Sequence, residues 1–251
     1  MRVRLDAAMV RRGLAHSRSE ACGLIDERLV TVAGVIAEKA SRLVADSEPI
    51  EIIRQRRFVS RGGEKLEGGL LRLGVAVEGR SVLDAGASTG GFTDCLLSRG
   101  ARRVFAVDVG RNQLHERISS DPRVVSREQV NVRDLGPSDM PFPVSLVVAD
   151  LSFISLVTVL PALVGLVSPE DGFPVAEMVL LVKPQFEVGR VEASRGRGVI
   201  TDPHLHESAV AQVADEVRRL GWTVEGTVES PLKGQDGNTE FLLHASAPVR
   251  P

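Results

Sequence analysis

From residue 81 onward, apolar runs of strand length alternate with stretches of helical pattern, and this alternation restricts the fold more than any other feature. The runs are Ser81–Gly86, Arg103–Val109, Val124–Val130, Ser145–Asp150, Met178–Lys183, Trp222–Val228 and Glu240–His244. Helical stretches at Gly91–Ser98, Ser155–Leu166 and Pro203–Leu220 separate several of them. Strands apolar on both faces and joined by helices build a mostly parallel sheet covered on both sides, an α/β fold. Only Glu229–Thr239 joins the last two runs, and it holds Pro231, Gly234 and Gly237. That is too short for a helical crossover, so the final pair is predicted antiparallel. The longest charge-free run, Leu151–Pro169, reaches membrane-spanning length, but Ser152, Ser155, Thr158, Pro161, Gly165 and Ser168 interrupt it. It reads as a strand end followed by a core helix rather than a transmembrane span.

The first 53 residues follow a different pattern. Leu5, Ala8 and Met9 fall on one helical face, and Ser17-Arg18-Ser19-Glu20 is a capping box before a second helix. Val30, Val32, Val35 and Ile36 flank the turn Ala33-Gly34, and Ile50, Ile52 and Ile53 suggest a last strand. This predicts a small α+β domain over 1–53, a polar linker over 54–58 and a large domain over 59–251. The net charge of −2 excludes a uniformly basic nucleic-acid coat. Residues 1–65, however, carry 13 Lys/Arg against 9 Asp/Glu, so the positive excess sits at the N-terminus. Arg2, Arg4, Arg11, Arg12, Arg18 and Arg28 decorate this unit, either as solvated helix faces or as a phosphate-binding surface. Cys22 and Cys95 lie far apart with no Cys/His cluster, which argues against a disulfide framework or a metal site. The charged first residues lack an apolar signal core, so a cytoplasmic location without stable membrane association is expected.

The run Val82-Leu83-Asp84-Ala85-Gly86-Ala87-Ser88-Thr89-Gly90-Gly91-Phe92 leaves a buried strand through a glycine-rich turn. Glycine lets backbone approach a ligand at a strand's C-terminal edge. The spacing G-x-x-x-G-G after Asp84 fits S-adenosylmethionine better than a dinucleotide, with Asp84 meeting the amino-acid end. Asp108 closes the next strand, where a carboxylate can accept both ribose hydroxyls. Asn131 follows the third strand, where it either reaches the adenine or serves as a polar loop residue.

Strand ends converge on one rim in this architecture. Asp150 closes one strand, Lys183 closes another before Pro184, Glu240 opens the antiparallel strand, and Lys65 lies in a helix-opening segment. Charged residues seldom end apolar strands by accident. The chain has four lysines against 27 arginines. Lysine, unlike arginine, gives up its proton when buried or set beside a second cation. His204 and His206 follow Asp202-Pro203 at a helix start, with no third metal ligand in reach. Gly189–Gly198 carries Arg195 and Arg197 and reads either as an RNA-contacting lid or as a plain flexible loop.

Several motifs in order resemble one family. They are the head, Val59-Ser60-Arg61-Gly62-Gly63-Glu64-Lys65-Leu66, the glycine loop through Thr93-Asp94, Asp150-Leu151-Ser152-Phe153-Ile154-Ser155, Lys183-Pro184-Gln185-Phe186-Glu187 and Gly237-Asn238-Thr239-Glu240-Phe241. Together they resemble the TlyA (hemolysin-A) family, which is similar to FtsJ-type ribosomal RNA 2′-O-methyltransferases. The resemblance implies an S4-like RNA-binding head and a Rossmann-like class I methyltransferase domain with a seven-stranded, mostly parallel sheet and an antiparallel last strand. It implies a Lys65, Asp150, Lys183, Glu240 catalytic tetrad, and methyl transfer to cytidine 2′-hydroxyls in the RNA of both ribosomal subunits. S-adenosylmethionine is the implied donor, held by Asp84, Gly86, Ser88, Thr89, Gly90, Gly91, Phe92, Asp108 and Asn131. Arg2, Arg4, Arg11, Arg18, Arg61, Arg195 and Arg197 are the candidate RNA contacts, and no metal is expected.

Three other functions compete. A small-molecule O-methyltransferase would have little use for a basic head, and a binding protein would not need four converging charges. A pore-forming hemolysin would want a membrane span or an amphipathic β-pattern, and neither is apparent in the sequence.

Overall fold

A computed structural model describes residues 2–52, 57–168, 170–189 and 198–248. The chain divides into two compact units, residues 1–56 and 57–251. The first holds β1 (Arg2–Arg4), α1 (Leu5–Arg11), α2 (Arg18–Asp26), β2 (Val30–Val32), β3 (Val35–Ile36), β4 (Leu43–Ala45) and β5 (Ile50–Ile52). Half of the expected capping box forms: the N-cap Ser17 Oγ accepts the Glu20 N–H at 3.1 Å, but Glu20 accepts the His16 N–H, at 2.7 Å, rather than that of Ser17. Strands β3, β2 and β5 make a three-stranded sheet, and β1 pairs with β4. The triplet Arg-Val-Arg is too short for its alternation to predict β1. Leu5, Met9, Ile25, Val30 and Val44 fill a core of the unit's own.

The second unit holds α3 (Arg61–Leu73), β6 (Ser81–Ala85), α4 (Gly91–Ser98), β7 (Arg103–Val107), α5 (Glu116–Ser119), β8 (Val124–Arg127), β9 (Leu146–Ala149) and α6 (Leu156–Gly165). It continues with β10 (Val175–Val182), α7 (Pro184–Glu187), α8 (Pro203–Arg219), β11 (Thr223–Glu229) and β12 (Phe241–Pro248). The seven strands run in the order β11-β12-β10-β9-β6-β7-β8. All are parallel except β12, which is antiparallel to β10 and β11 on either side. Side chains alternate between two cores, as the period of a strand requires. Val82, Val104, Val148 and Leu181 face Leu66, Leu70 and Leu96 of α3 and α4. Leu83, Phe105, Val147 and Leu180 face Leu160, Leu163, Val213 and Val217 of α6 and α8. The charge-free run resolves into a loop and α6, whose Leu156, Val159, Leu160 and Leu163 are buried. Among the described residues no helix is long and apolar enough to cross a membrane.

Register decides what reaches the rim. Ala85 lies opposite Val107 and Ala149, Ala149 opposite Leu180, and Val182 opposite Phe241. Gly86, Asp108, Asp150 and Lys183 follow their strands, and Glu240 precedes β12, so all five emerge at one edge of the sheet.

Candidate active site

A cleft of about 480 Å³ opens at this edge, lined by residues that include Gly86, Ser88, Asp108, Asn131, Asp150 and Phe153. Gly86 has φ +89°, and a Cβ there would overlap the Asp150 carbonyl oxygen. Only glycine lets these two strand ends lie so close. Ser88 donates its N–H to Asp108 Oδ2 at 2.8 Å, and Gly110 donates to Oδ1 at 2.6 Å. Asp108 is thus anchored by the glycine loop and by its own turn, and each oxygen keeps a lone pair for a ligand. Asn131 Oδ1 accepts the Arg133 N–H at 3.1 Å, which leaves its amide N–H groups for the cleft. Gly90, at φ +90°, caps α4, and the Thr89 carbonyl accepts the His115 N–H at 3.2 Å.

Asp84 departs from the sequence reading. It is fully buried and is not among the cleft's lining residues. It shares strand parity with Val82, so it faces α4, where Thr93 Oγ1 donates to Oδ2 at 2.6 Å. Its Oδ1 has no hydrogen-bond partner among the described residues. Burial pushes the carboxyl up to about 7, and the Asp150 charge adds to this against the Thr93 hydrogen bond.

The four rim charges meet as two pairs. Lys65 Nζ donates to Glu240 Oε2 at 2.5 Å, with both residues buried. Lys183 Nζ lies 2.6 Å from Asp150 Oδ1 and donates to Ser152 Oγ at 2.8 Å. A smaller cavity of about 120 Å³ is lined by residues that include Ser60, Lys65, Gly86, Ser88, Phe92 and Asp150. Gly86, Ser88 and Asp150 therefore belong to both cavities, and Lys65 faces the smaller one. Phe92 is 3% exposed and forms wall and core rather than an open contact.

Sequence reasoning missed several residues that hold this geometry. Ser152 anchors Lys183. Phe153 is 91% exposed, has φ +65°, and sets its ring 5.3 Å from that of Phe186. Glu187 accepts from Ser155 Oγ at 2.5 Å and from the Leu156 N–H at 2.8 Å, which caps α6 from the segment after Lys183. Burial raises the Glu187 carboxyl above its usual range. Asn238 is buried and bonds Ile200 N–H and Gly198 carbonyl at 2.8 Å each. Glu128 accepts from the N–H groups of Gln113 and Leu114, holding a loop whose Gln113 lines the large cleft. The signal for Ser152, Phe153 and Glu187 was their place inside the rim motifs.

The candidate RNA contacts scatter. Arg4 and Arg18 both bind the buried carboxylate of Asp6, and Arg11 pairs with Asp46. Arg2 is exposed on β1. Arg61 donates to the Lys233 carbonyl at 2.6 Å. Arg195, Arg197 and linker residues 54–56 lie outside the described residues. His206 bonds the Ile200 carbonyl at 2.9 Å, and among the described residues no group of three or more His, Cys, Asp or Glu could hold a metal.

The FtsJ-like methyltransferase family model matches residues 58–247, and the S4 domain model matches residues 3–50. The chain belongs to the FtsJ-like methyltransferase family. It is an S-adenosylmethionine-dependent methyltransferase carrying an S4 domain at its N-terminus. The 16S/23S rRNA (cytidine-2′-O)-methyltransferase TlyA of Mycobacterium tuberculosis is 49% identical over 96% of this chain and 89% of its own length. Hemolysin A of Brachyspira hyodysenteriae is 38% identical over 96% of this chain and 99% of its own. A solved hemolysin-named protein from Streptococcus thermophilus, 37% identical, superposes with a TM-score of 0.74 over 100% of this chain and 90% of that one. The cleft of this FtsJ-like chain fits the donor: a close-approach glycine turn at Gly86 and, beside it, the carboxylate of Asp108, anchored by the Ser88 and Gly110 N–H groups.

Proposed function

We propose that this methyltransferase modifies cytidine ribose 2′-hydroxyls in the RNA of the small and large ribosomal subunits, in the cytoplasm and without a metal. One observation carries the reading. Asp150, paired to Lys183, lines both the donor cleft and the smaller cavity that Lys65 faces. A hydroxyl acceptor in that smaller cavity meets Lys65, held by Glu240, and Asp150, which pairs with Lys183. The relatives named as cytidine-2′-O-methyltransferases and the S4 domain support RNA as the substrate.

Bound S-adenosylmethionine supplies an electrophilic methyl carbon on a sulfonium. The chain's own residues supply alignment and proton handling. A ribose 2′-OH is a poor nucleophile until its proton is removed, and a placed base contributes roughly 10²–10⁴-fold. Lys183 Nζ, oriented by Asp150 and Ser152, takes that proton as the neutral amine and becomes the ammonium that pairs with Asp150. Lys65, fixed by Glu240, stabilises the developing alkoxide electrostatically. Asp108 and Asn131 hold the adenosine end, Gly86–Gly91 gives the donor a close backbone wall, and Asp84 orders that wall through Thr93. Holding donor and acceptor in line supplies much of the remaining rate.

The test is methyl transfer from labelled S-adenosylmethionine to purified 30S and 50S subunits and to their naked RNAs, with modified nucleosides mapped by mass spectrometry. The expected product is 2′-O-methylcytidine. Label on a base, or none on either RNA, overturns the reading.

A further inference from the structure

The S4 unit contains an arrangement that its basic composition does not require. Asp6, 1% exposed, is bound by two arginines. Arg4 donates from Nε to Oδ1 at 3.1 Å and from Nη2 to Oδ2 at 3.0 Å. Arg18 donates to the same Oδ2, from Nη2 at 2.7 Å and from Nε at 3.3 Å. The Ala7 N–H donates to Oδ1 at 2.8 Å, and the Cys22 thiol donates to Oδ2 at 4.0 Å. The Arg4 hydrogen bond, with help from Arg18, holds the Asp6 carboxyl well below the usual carboxylate range. The two guanidiniums therefore favour the carboxylate form of Asp6.

The arginines remain open to solvent. Their side chains are 47% and 60% exposed, against 2% for that of Asp6. Each guanidinium has five N–H donors in a fixed fork. Asp6 engages Nε and Nη2 of each, so among the described residues Nη1 is uncommitted on both. Two guanidiniums on one carboxylate leave one net positive charge, and because both Nη2 atoms sit on the same Oδ2 the two forks are neighbours. A free arginine loses rotamer freedom when it grips a phosphate. Here that freedom is already lost, which favours bidentate contact with a planar edge of an oxyanion.

We propose that Asp6 is a positioning residue that holds Arg4 and Arg18 as a paired guanidinium site for an RNA backbone phosphate. The proposal rests on the RNA-methylating reading above and adds the residue that shapes the contact. The bland alternative is that Asp6 only neutralises two surface arginines and ties β1 to α2.

The two readings predict opposite signs for Asp6→Asn. If Asp6 only neutralises, its removal adds a unit of positive charge to the patch. RNA affinity then rises, and the dependence of log affinity on log salt steepens by roughly 0.7–0.9. If Asp6 positions, the forks splay and affinity falls despite the added charge.

The experiment is a salt titration of full-length protein binding to transcribed 23S rRNA, with thermal melting of each variant as a fold control. Asp6→Asn is expected to bind about tenfold more weakly at physiological salt, with no steeper slope. Equal or tighter binding overturns the proposal. Should Asp6→Asn lose the fold of the head, the double variant Arg4→Lys/Arg18→Lys decides. It keeps both charges but not the bidentate geometry, so a loss of about fivefold or more is expected, and wild-type affinity overturns the proposal. Wild-type protein that neither binds nor methylates ribosomal RNA would instead sink the functional reading itself.

Discussion

Asp150 and Lys183 close neighbouring parallel strands and meet at 2.6 Å, beside the Lys183–Ser152 hydrogen bond. The pairing fixes the lysine amine through two neighbours while leaving Asp150 on the walls of both cavities. A guanidinium in its place would keep the charge but could not accept a proton. Lys183→Arg and Lys183→Ala are therefore expected to lower methyl transfer by at least about 10²-fold. Donor affinity, measured by calorimetry, should stay within about threefold of wild type. Lys183→Arg activity within tenfold of wild type, with Lys65→Arg inactive, would reassign the base to Lys65.

Asp108 carries a separable expectation. Its contacts to the donor ribose would exist in ground and transition states alike, so Asp108→Ala should weaken donor binding more than it slows saturated turnover. The Ser88 and Gly110 N–H groups also lose their acceptor, so the glycine loop should loosen. Unchanged donor affinity by calorimetry would contradict this assignment.

Asp84 sets a pH signature. Its carboxyl rises from 3.8 to about 7 on folding, so the folded protein holds this proton more tightly than the unfolded chain. Stability from this group is greatest at low pH and is lost as pH climbs through that window, by up to about 1.4 kcal/mol per unit. Asp84→Asn lacks the term. Denaturant melts at pH 5 and pH 8 should show the variant gaining on wild type as pH rises. A gap between the two that does not move with pH would refute the buried-acid account.

Phe153 is the clearest exposed aromatic at the rim, and a ring in that position suits stacking on an unstacked base. Phe153→Ala should raise the KM for RNA by an amount equivalent to about 1–3 kcal/mol, the range for one stacked base. Its melting temperature should not fall, because a ring 91% exposed buries little. An unchanged KM would remove the ring from RNA recognition.

Glu187 straps the segment after Lys183 to the start of α6. Glu187→Ala leaves the Ser155 hydroxyl and Leu156 N–H without their partner, at about 1 kcal/mol of stability, and should lower turnover several-fold. Glu187→Gln keeps an acceptor for Leu156 and should recover most of both. Equal defects in the two variants would argue against the strap.

The sheet was legible because a parallel strand buried on both faces is apolar along its length, as Leu146–Ala149 is. The rim charges were legible for the complementary reason: Asp150 and Lys183 end such runs abruptly. Pairings were not. That Lys65 would meet Glu240, and Lys183 Asp150, depends on strand register and on where α3 crosses the sheet, which span 175 residues in the first case. Asp84 looked like a ligand-facing acid because its motif is glycine-rich, but strand parity turns it toward Thr93 on α4. Arg4 and Arg18 looked like free surface charges, since one buried acid serving both is visible only once α1 and α2 pack together. Glu187 carried no local sign of capping a helix 31 residues earlier.

The placement of β12 has a consequence for assembly. This strand, which follows β11 in the chain, is inserted between β10 and β11 rather than added at a margin. Until it arrives, the apolar stretch Met178–Val182 has an unpaired side, and β11 has no neighbour in the sheet. A nascent or truncated chain ending before residue 240 would present a sticky, strand-accepting edge and would lack one of its four rim charges. Closure of the sheet and completion of the charge set are thus a single event, so a chain cut before residue 240 should be an insoluble polypeptide rather than a weakened enzyme.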